Sequence, residues 1–426
     1  MTEKLVALID VNSFYASCER AFDPALAARP VVVLSNNDGC AVAMSPEAKD
    51  LGVSVGMPWF KLAPTATQRG IIARSSNYEL YGDMSHRFLQ VIGEHSPQVE
   101  KYSIDEAFAA FDGPPSAAEP WSRKLRQEIT DRLDLPVGIG VGPTKTLAKL
   151  ANLAAKKVDG MHGVCVWDAL PEDYREQVLS RLPVQQIWGV GPRTAKKLAA
   201  MGVETASQLR AADPLMVRKR LGVPVMRSLL ELRGQPCVEL TDARDFLDSL
   251  VFSRSFSSPV TTAETMEQVL VSYAQRACTR LNTRQSEAKT LTAWAMTSWH
   301  SNNSVFESPS ATLSLPAPTN DPVILSRAAK SLLPKIKEGT RYTKAGITLT
   351  DLSPAGSQPT LDVLVDPQQE SGLGPLLQRV REKAGTDSIG LGLGGLRIPA
   401  EWEMRREMMS PRYTTRWEEM LIVHAT

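Results

Sequence analysis

The chain has 426 residues and is nearly neutral, with 48 basic and 47 acidic residues and 43% hydrophobic residues. This length and composition indicate a soluble globular protein of about two to four domains and exclude a disordered, fibrous or disulfide-stapled miniature fold. The five cysteines are scattered and form no C-x-x-C pair, so they indicate neither a zinc site nor a disulfide framework and fit a reducing cytoplasm. The apolar run at 5–9 is too short for a signal peptide or a membrane span, so we expect no membrane anchor.

The neutral total conceals an uneven distribution of charge. Residues 1–122 carry 9 basic and 15 acidic residues, residues 123–352 carry 31 and 22, and residues 353–426 carry 8 and 10. A basic middle beside an acidic start can be a track for nucleic-acid phosphates next to a metal-binding carboxylate cluster. An ordinary solvated surface gives the same counts, so charge alone leaves both interpretations open.

The first 165 residues alternate between predicted strands and helices. In chain order these are a buried strand at 4–10, a short helix at 13–20, a hairpin with an Asp-Gly turn at 31–43, strands at 100–108 and 136–141, and helices at 121–133 and 144–157. This alternation predicts a mixed α+β core.

The rest of the chain changes character twice. Residues 166–240 predict a helical domain of short helices separated by glycines. From about 247 to 352 the pattern is strand, helix, strands, helix, strand, with helices at 265–283 and 323–336. A linker rich in Ser, Pro and Gly then leads into a mixed tail with a helix-like stretch at 400–409.

Acidic residues occur where apolar strands end or are interrupted. Asp10 ends the first strand, and Asp105 and Glu106 stand together within an apolar run. A single Asp at a strand end is usually a turn or cap residue. Adjacent buried carboxylates are costly unless compensated, and two Mg²⁺ ions would compensate them. Because neighbouring strand residues point to opposite faces, this arrangement requires a bend or hairpin tip at 103–106.

The glycine-rich segment 138–142 invites a phosphate-loop interpretation, but Pro143 occupies the position of the second motif glycine. The segment fits a strand packed closely against the start of a helix. Charge on that helix is more informative, because one of Lys145, Lys149 and Lys156 could reach a bound triphosphate.

Gly189 and Gly191 precede a basic helix that carries Arg193, Lys196 and Lys197. This layout is typical of a helix-hairpin-helix, whose backbone amides hold a DNA phosphate without reading the bases. A plain helical hairpin is the alternative.

Tyr15 follows Asp10 by about one helical turn. Most aromatic residues in such a place belong to the core. Beside a metal-bound triphosphate, however, its ring could block the 2′ position of the sugar and so distinguish deoxyribose from ribose.

Taken together, the sequence resembles the Y-family of translesion DNA polymerases, and specifically the UmuC-type catalytic subunits of bacterial DNA polymerase V, over essentially the whole chain. The stretches that carry the resemblance are 10–19, 31–40, 75–81, 102–108, 144–152 and the tail string 408–416. The resemblance implies an error-prone, template-directed DNA polymerase (nucleotidyltransferase) without proofreading, which acts in the SOS response to DNA damage with two Mg²⁺ ions. It also implies a multidomain α+β right-hand fold. The implied domains are a palm at 1–22 and 80–165, small fingers at 23–79, a helical thumb with a helix-hairpin-helix at 166–240, a βαββαβ-like little finger at 241–352, and a partner-binding tail at 353–426.

The same resemblance implies roles for individual residues. Asp10, Asp105, Glu106 and the Val11 carbonyl match the metal ligands, and Tyr15 matches the steric gate. Further matches are the triphosphate contacts Lys49 and Lys156, the little-finger DNA contact Arg254, and a degenerate clamp-binding peptide at Gln358, Leu361 and Leu364. Met44 and Pro46 depart from the residues common among relatives.

The implied partners are primer-template DNA, deoxynucleoside triphosphates, a cleaved UmuD-type dimer, a RecA filament and the sliding clamp. In the tail, Trp402, Tyr413 and Trp417 are candidate anchors for a protein interface. Two alternatives remain open, a catalytically inactive scaffold and a palm-domain nucleotidyl cyclase. The three acids argue against the first, and the helix-hairpin-helix and the basic middle argue against the second.

Overall fold

The structure is a computed structural model, and it describes residues 5–241, 248–299, 305–357, 373–384, 388–395 and 400–420. The chain divides into two compact units. The first unit comprises 1–35, 39–244 and 408–426, and the second comprises 36–38 and 245–407.

The strands of the first unit form two sheets. They are β1 (Leu5–Val11), β2 (Val31–Leu34), β3 (Ala41–Met44), β4 (Ile72–Ser75), β5 (Val99–Lys101), β6 (Glu106–Phe111), β7 (Val137–Gly142) and β8 (Val164–Val166). The larger sheet has the order β5-β6-β1-β7-β8, and the smaller one has the order β3-β2-β4. β1 is antiparallel to both of its neighbours, whereas β7 and β8 are parallel.

The central place of β1 follows from its composition. Leu5, Ala7, Leu8 and Ile9 are all buried, as the predicted apolar strand requires. The predicted hairpin at 31–43 is also confirmed, because β2 and β3 pair antiparallel.

The helices of the first unit are α1 (Phe14–Phe22), α2 (Pro46–Asp50), α3 (Trp59–Ala66), α4 (Tyr78–His95), α5 (Ala118–Leu133), α6 (Lys145–Lys157), α7 (Glu172–Arg181), α8 (Pro192–Ala199), α9 (Ala206–Ala211), α10 (Pro214–Leu221) and α11 (Val223–Leu232). Apolar residues of α4 and α5 cover one face of the larger sheet. α6 lies on the other face, and its outer side packs against the short helices α7 to α11.

Two features fix α6 in place. A Cβ atom at Gly140 on β7 would lie 2.0 Å from the backbone nitrogen of Asn152, so only glycine permits this approach of strand and helix. At the helix start, the Thr144 hydroxyl caps α6, and the buried Glu231 carboxylate accepts hydrogen bonds from the amide and the hydroxyl of Thr146. The glycine-rich segment is therefore a close-packed strand, as its failed phosphate-loop spacing predicted.

The second unit contains β9 (Ser249–Val260), α12 (Ala263–Thr283), β10 (Ser286–Met296), β11 (Ser310–Thr319), α13 (Pro322–Ala329), β12 (Tyr342–Pro354) and α14 (Leu373–Ala384). Its antiparallel sheet has the order β11-β10-β12-β9, and the predicted βαββαβ order is confirmed. The predicted helix at 323–336 is shorter than expected. After Ala329 it tightens into a 3₁₀ segment, Lys330–Lys335, because Pro334 has no amide hydrogen for an α-helical bond.

The tail differs from its prediction in two respects. Residues 400–409 form turns and extended chain rather than a helix, because the stretch mixes charges on every side and has no continuous apolar stripe. The ring of Trp402 is only 7% exposed and packs against Phe256 and Tyr273 in the core of the second unit. Trp402 is thus a core residue rather than an interface anchor.

Candidate active site

The three predicted acids lie at one end of the larger sheet of the first unit. Asp10 on β1 stands opposite Glu106 on β6 in the antiparallel register, and the Val11 amide donates to the Asp105 carbonyl at 2.9 Å. The required bend is the tip of the β5–β6 hairpin. There the Ser103 hydroxyl accepts from the amides of Asp105 and Glu106 and donates to the Asp105 carboxylate at 2.6 Å. The tip therefore presents two adjacent carboxylates from one short turn.

Two lysines of α6 neutralise two of these acids. Lys156 Nζ lies 2.5 Å from the Asp10 carboxylate, and Lys149 Nζ lies 2.9 Å from the Glu106 carboxylate. The lysines are seven residues apart, so they share one face of the helix. The ammonium of Lys149 also lies over the ring of Tyr102, 4.3 Å from its centroid.

Burial raises the pKa of Asp10 from its ordinary value of 3.8 to about 6. The ion pair and hydrogen bond with Lys156 lower the pKa, and the neighbouring carboxylates of Glu106 and Asp105 raise it. The burial effect is the largest, so a nearby cation compensates this carboxylate only in part.

The donor set suits a hard divalent cation, because the acids supply only oxygen ligands and the cluster attracts positive charge. No group of three or more histidine, cysteine, aspartate or glutamate side chains in the described ranges is arranged so that it could hold a metal ion. Lys149 and Lys156 each pair with one of the acids.

A groove of about 610 Å³ opens beside Asp10 and Asp105. Among its lining residues are Val11, Tyr15, Met44, Pro46, Lys49 and Lys156. The fold therefore brings together predicted metal ligands, the predicted steric gate and both predicted triphosphate contacts. Glu106 reaches the same region through its pairing with Asp10.

The ring of Tyr15 is held by other aromatic rings. It stacks on Tyr81 with centroids 4.4 Å apart and an interplanar angle of 16°, and the edge of Tyr78 meets it at 6.2 Å. Tyr81 is fully buried, whereas Tyr15 is half-buried and lines the groove. Burial raises the pKa of the Tyr15 hydroxyl, and Tyr78 and Asp105 add to the effect.

Lys49 on α2 also lines the groove and donates to the Ser13 hydroxyl at 3.1 Å. Ser13 adopts a left-handed backbone conformation with φ of 51°, which is uncommon for a residue other than glycine. Met44 and Pro46, the two departures from the family pattern, face this groove.

Of the three candidate lysines on α6, Lys156 lines the groove and Lys149 pairs with Glu106, whereas Lys145 does neither. It is buried and pairs with Glu100 at 2.6 Å and with the Glu239 carbonyl at 2.8 Å. The sequence could not separate these lysines, because their spacing places all three on one helix face. A lysine reaches the acids only if its position along α6 is close to the end of the sheet that carries them.

Both glycines of the predicted helix-hairpin-helix lie in the turn that precedes α8. Gly189 has φ of +86°, a conformation that favours glycine, and Gly191 is the N-cap of α8. The basic residues of α8 are exposed: Arg193, Lys196 and Lys197.

In the second unit, Arg254 lies on the edge strand β9. Its guanidinium lies over the ring of Phe252, 4.7 Å from the centroid, and Arg280 of α12 lies over the same ring at 5.0 Å. Burial lowers the pKa of Arg280, and the neighbouring Arg254, Arg284 and Arg276 add to the effect. Positive charge is thus concentrated at this edge. The predicted clamp peptide, Gln358, Leu361 and Leu364, lies outside the described residues.

Sequence reasoning missed the supports behind the site. Ser103, which shapes the acidic tip, is marked only by its place two residues before Asp105. Glu19 and Tyr81 close two of the stretches that carry the family resemblance, 10–19 and 75–81, but nothing in either stretch indicates that the two side chains bond to each other.

Family models match the chain along most of its length. The impB/mucB/samB family model matches 9–153, the IMS family HHH motif 172–203, the impB/mucB/samB family C-terminal domain 248–361, and Domain of unknown function (DUF4113) 373–423. In the described ranges, no helix has the length and apolar composition that a membrane span requires.

Full-length relatives agree with these matches. The chain is 41% identical to Protein UmuC of Salmonella typhimurium over 98% of this chain and 100% of that protein. It is also 41% identical to Protein SamB of the same organism over 98% of this chain and 99% of that protein. Among solved structures, a Y-family DNA polymerase chimera of Dbh and Dpo4 aligns with a TM-score of 0.65 at 21% identity, over 82% of this chain and 98% of that one. The chain therefore belongs to the impB/mucB/samB family and is a UmuC-type translesion DNA polymerase of the Y-family.

Proposed function

We propose that the groove binds the incoming deoxynucleoside triphosphate beside the 3′ end of a primer. Asp10, Asp105 and Glu106, with the Val11 carbonyl, would bind two Mg²⁺ ions next to it. The observation that carries this proposal is the register that sets Asp10 opposite Glu106, with Asp105 at the adjoining hairpin tip. When bound, the two ions would activate the attacking 3′-hydroxyl and neutralise the charge of the leaving pyrophosphate.

The residues of the chain supply the rest of the mechanism. Lys156 would exchange its carboxylate partner for a phosphate oxygen, because a lysine ammonium binds either anion as a point charge. Lys49 faces the same groove from α2 and would bind the triphosphate from the other side. With a pKa of about 6, Asp10 is mainly ionised at neutral pH and can act as a ligand.

Tyr15 would serve as the steric gate. Its ring is backed by Tyr81, so it cannot move aside easily when a 2′-hydroxyl approaches. Selection for deoxyribose then results from excluded volume and needs no hydrogen bond to the sugar.

We assign the domains as the family resemblance implies. The palm comprises 1–22 and 80–165, the fingers 23–79, the thumb 166–240, the little finger 241–352 and the tail 353–426. The thumb would bind DNA phosphates through the turn at Gly189 and Gly191 and through three exposed cations, Arg193, Lys196 and Lys197. In the little finger, the positive charge around Arg254 supports a second phosphate contact.

The partners remain proposals of the same kind. A cleaved UmuD-type dimer, a RecA filament and the sliding clamp would regulate the enzyme in the cytoplasm, and primer-template DNA would be its substrate. In the tail, Trp417 is 84% exposed and is available as an interface anchor.

Primer extension tests the metal assignment. We expect Asp105→Asn and Glu106→Gln each to reduce Mg²⁺-dependent extension by about a thousandfold or more, because each removes a charged ligand. Affinity for primer-template DNA should stay within about twofold of wild type, since phosphate contacts elsewhere provide most of it.

The matched control is Asp112→Asn, an exposed acid just beyond the other end of β6. It should extend primers at the wild-type rate. Near-normal extension by either active-site variant would refute the assignment.

A further inference from the structure

The tail string 408–416, hereafter the strap, packs into the first unit beside the small sheet. The Ser75 amide, at the end of β4, donates to the Met408 carbonyl at 3.0 Å, and the Met408 amide donates to the Ser75 hydroxyl at 3.0 Å. Ser75 and Met409 also form a parallel bridge. The strap thus pairs with the end of β4, although the two segments are more than 330 residues apart in the sequence.

Asn77 joins the strap to the start of α4. Its carboxamide oxygen caps the helix by accepting from the Leu80 amide. Its amide group donates to the Ser410 carbonyl, the Ser410 hydroxyl and the Pro411 carbonyl at 3.0 to 3.1 Å. Asn77 is fully buried, so one side chain fixes both the helix that carries Tyr81 and the strap.

Ser410 also completes the environment of a buried acid. Glu19 on α1 is 1% exposed, and its Oε1 accepts from the Ser410 hydroxyl at 3.1 Å and from the Tyr81 hydroxyl at 2.6 Å. Burial raises the pKa of Glu19, and these two hydrogen bonds lower it. A carboxylate in this position is costly unless donors satisfy it, and the strap provides one of them.

The chain of contacts ends at the groove. Tyr81 donates to Glu19 through its hydroxyl and stacks its ring on Tyr15. The strap also touches α1, the helix of Tyr15, because Tyr413 stacks on Phe22 with centroids 5.1 Å apart and an interplanar angle of 9°. Both helices that support the aromatic stack are therefore held by the same distant segment.

We propose that the strap is a positioning element of the nucleotide pocket, in which Ser410, through Glu19 and Tyr81, fixes the ring of Tyr15 that excludes ribose. This inference rests on the proposed role of Tyr15 as the steric gate. It gives the tail a function within the polymerase itself, in addition to any recruitment of partners.

The physical basis is that exclusion of a 2′-hydroxyl depends closely on the position of the Tyr15 ring. A ring that shifts by about 1 Å can open space for a hydroxyl, whereas the catalytic acids on β1 and β6 stay in place. Loss of the Ser410 hydroxyl should therefore change the choice of sugar more than the rate with the correct nucleotide.

The test compares Ser410→Ala, Tyr81→Phe and Tyr15→Ala in the full chain. The measurement is kcat/KM for a ribonucleotide and for the matching deoxyribonucleotide on one template. We expect Tyr15→Ala to raise the relative use of ribonucleotide by roughly a hundredfold, and Ser410→Ala and Tyr81→Phe to raise it by about tenfold each. Because all act through one ring, Ser410→Ala should have no further effect in the Tyr15→Ala background.

Thr415→Ala, which removes an exposed hydroxyl of the same strap, is the matched control and should leave the ratio unchanged. If Tyr15→Ala itself does not change the ratio, the gate assignment fails. If Tyr15→Ala changes it but Ser410→Ala and Tyr81→Phe do not, the gate stands and the positioning role is wrong. Should Ser410→Ala fail to fold, Tyr81→Phe tests the same link from the palm side. A tenfold change that persists in the Tyr15→Ala background would also overturn the proposal.

Discussion

Two carboxylates of the first unit, the partly buried Asp10 and the fully buried Glu19, have the same chemistry and different surroundings. Burial raises the pKa of both. Asp10 is compensated by the ammonium of Lys156 and opens onto a groove. Glu19 is compensated mainly by the hydroxyls of Tyr81 and Ser410, with a smaller contribution from Arg74, and is closed off from solvent.

The difference explains why Asp10 can be a metal ligand, whereas Glu19 has a structural role. An ammonium that pairs with a carboxylate can be replaced by another cation without loss of charge balance. Neutral hydroxyl donors held at fixed distances cannot be exchanged, because removal of either leaves a buried charge poorly satisfied. The partner of a buried acid, more than its burial, therefore indicates its function.

The largest effect on stability should come from Glu19. We expect Glu19→Ala to lower the free energy of unfolding by about 3 to 4 kcal/mol, because it creates a cavity and leaves two buried hydroxyls without their acceptor. Urea denaturation measures this. Glu119→Ala, which removes a surface ion pair with Arg123, is the control and should cost less than about 0.5 kcal/mol. Equal losses in the two variants would show that Glu19 contributes no more to stability than a surface acid does.

In the absence of metal, ionised Asp10 should lower the stability of the folded protein, whereas Glu19 should raise it. Its folded pKa of about 6 exceeds its ordinary value of 3.8, so the stability from its protonated form is complete below 3.8 and is lost as pH rises through 6. Asp10→Asn lacks this titration. With EDTA present, the stability of Asp10→Asn relative to wild type should therefore rise by about 2 kcal/mol between pH 4 and pH 8. A relative stability that does not depend on pH would show that Asp10 has an ordinary pKa.

The smallest expected effect concerns Lys156. Lys156→Met removes a cation that lowers the pKa of Asp10, so that pKa should rise. The acid limb of primer extension against pH should then move upward by about half to one pH unit, whatever the loss in absolute rate. Lys157→Met, at the next position of α6, should leave the limb in place. An unmoved limb in Lys156→Met would show that this pair does not control the ionisation of Asp10.

The acidic end of the sheet could be predicted because its signals are local. An apolar strand that ends in Asp10, and two carboxylates inside another apolar run, require a tip that gathers them, and the structure has this tip. The order of strands and helices in both units follows in the same way from the apolar pattern.

The supports of the site could not be predicted, because they depend on pairs that are distant in sequence. Nothing near Glu19 indicates that its donor is Ser410, and no periodicity connects a tail residue to a helix of the first unit. Burial of Trp402 likewise depends on the ring positions of Phe256 and Tyr273, which come from other elements. Such contacts are set by the final packing of the chain.

The hydrogen bond between Ser410 and Glu19 has a consequence for the synthesis of the protein. The two residues are 391 positions apart, so a ribosome that adds about 5 to 20 residues per second makes the acid roughly 20 to 80 seconds before its distant donor. During this interval the catalytic acids and the tyrosine stack can fold, but the nucleotide pocket lacks one of its supports. A stop codon just before residue 408 would leave the catalytic acids and remove the strap. Under the positioning role proposed above, we expect such a chain to extend primers with altered sugar selection.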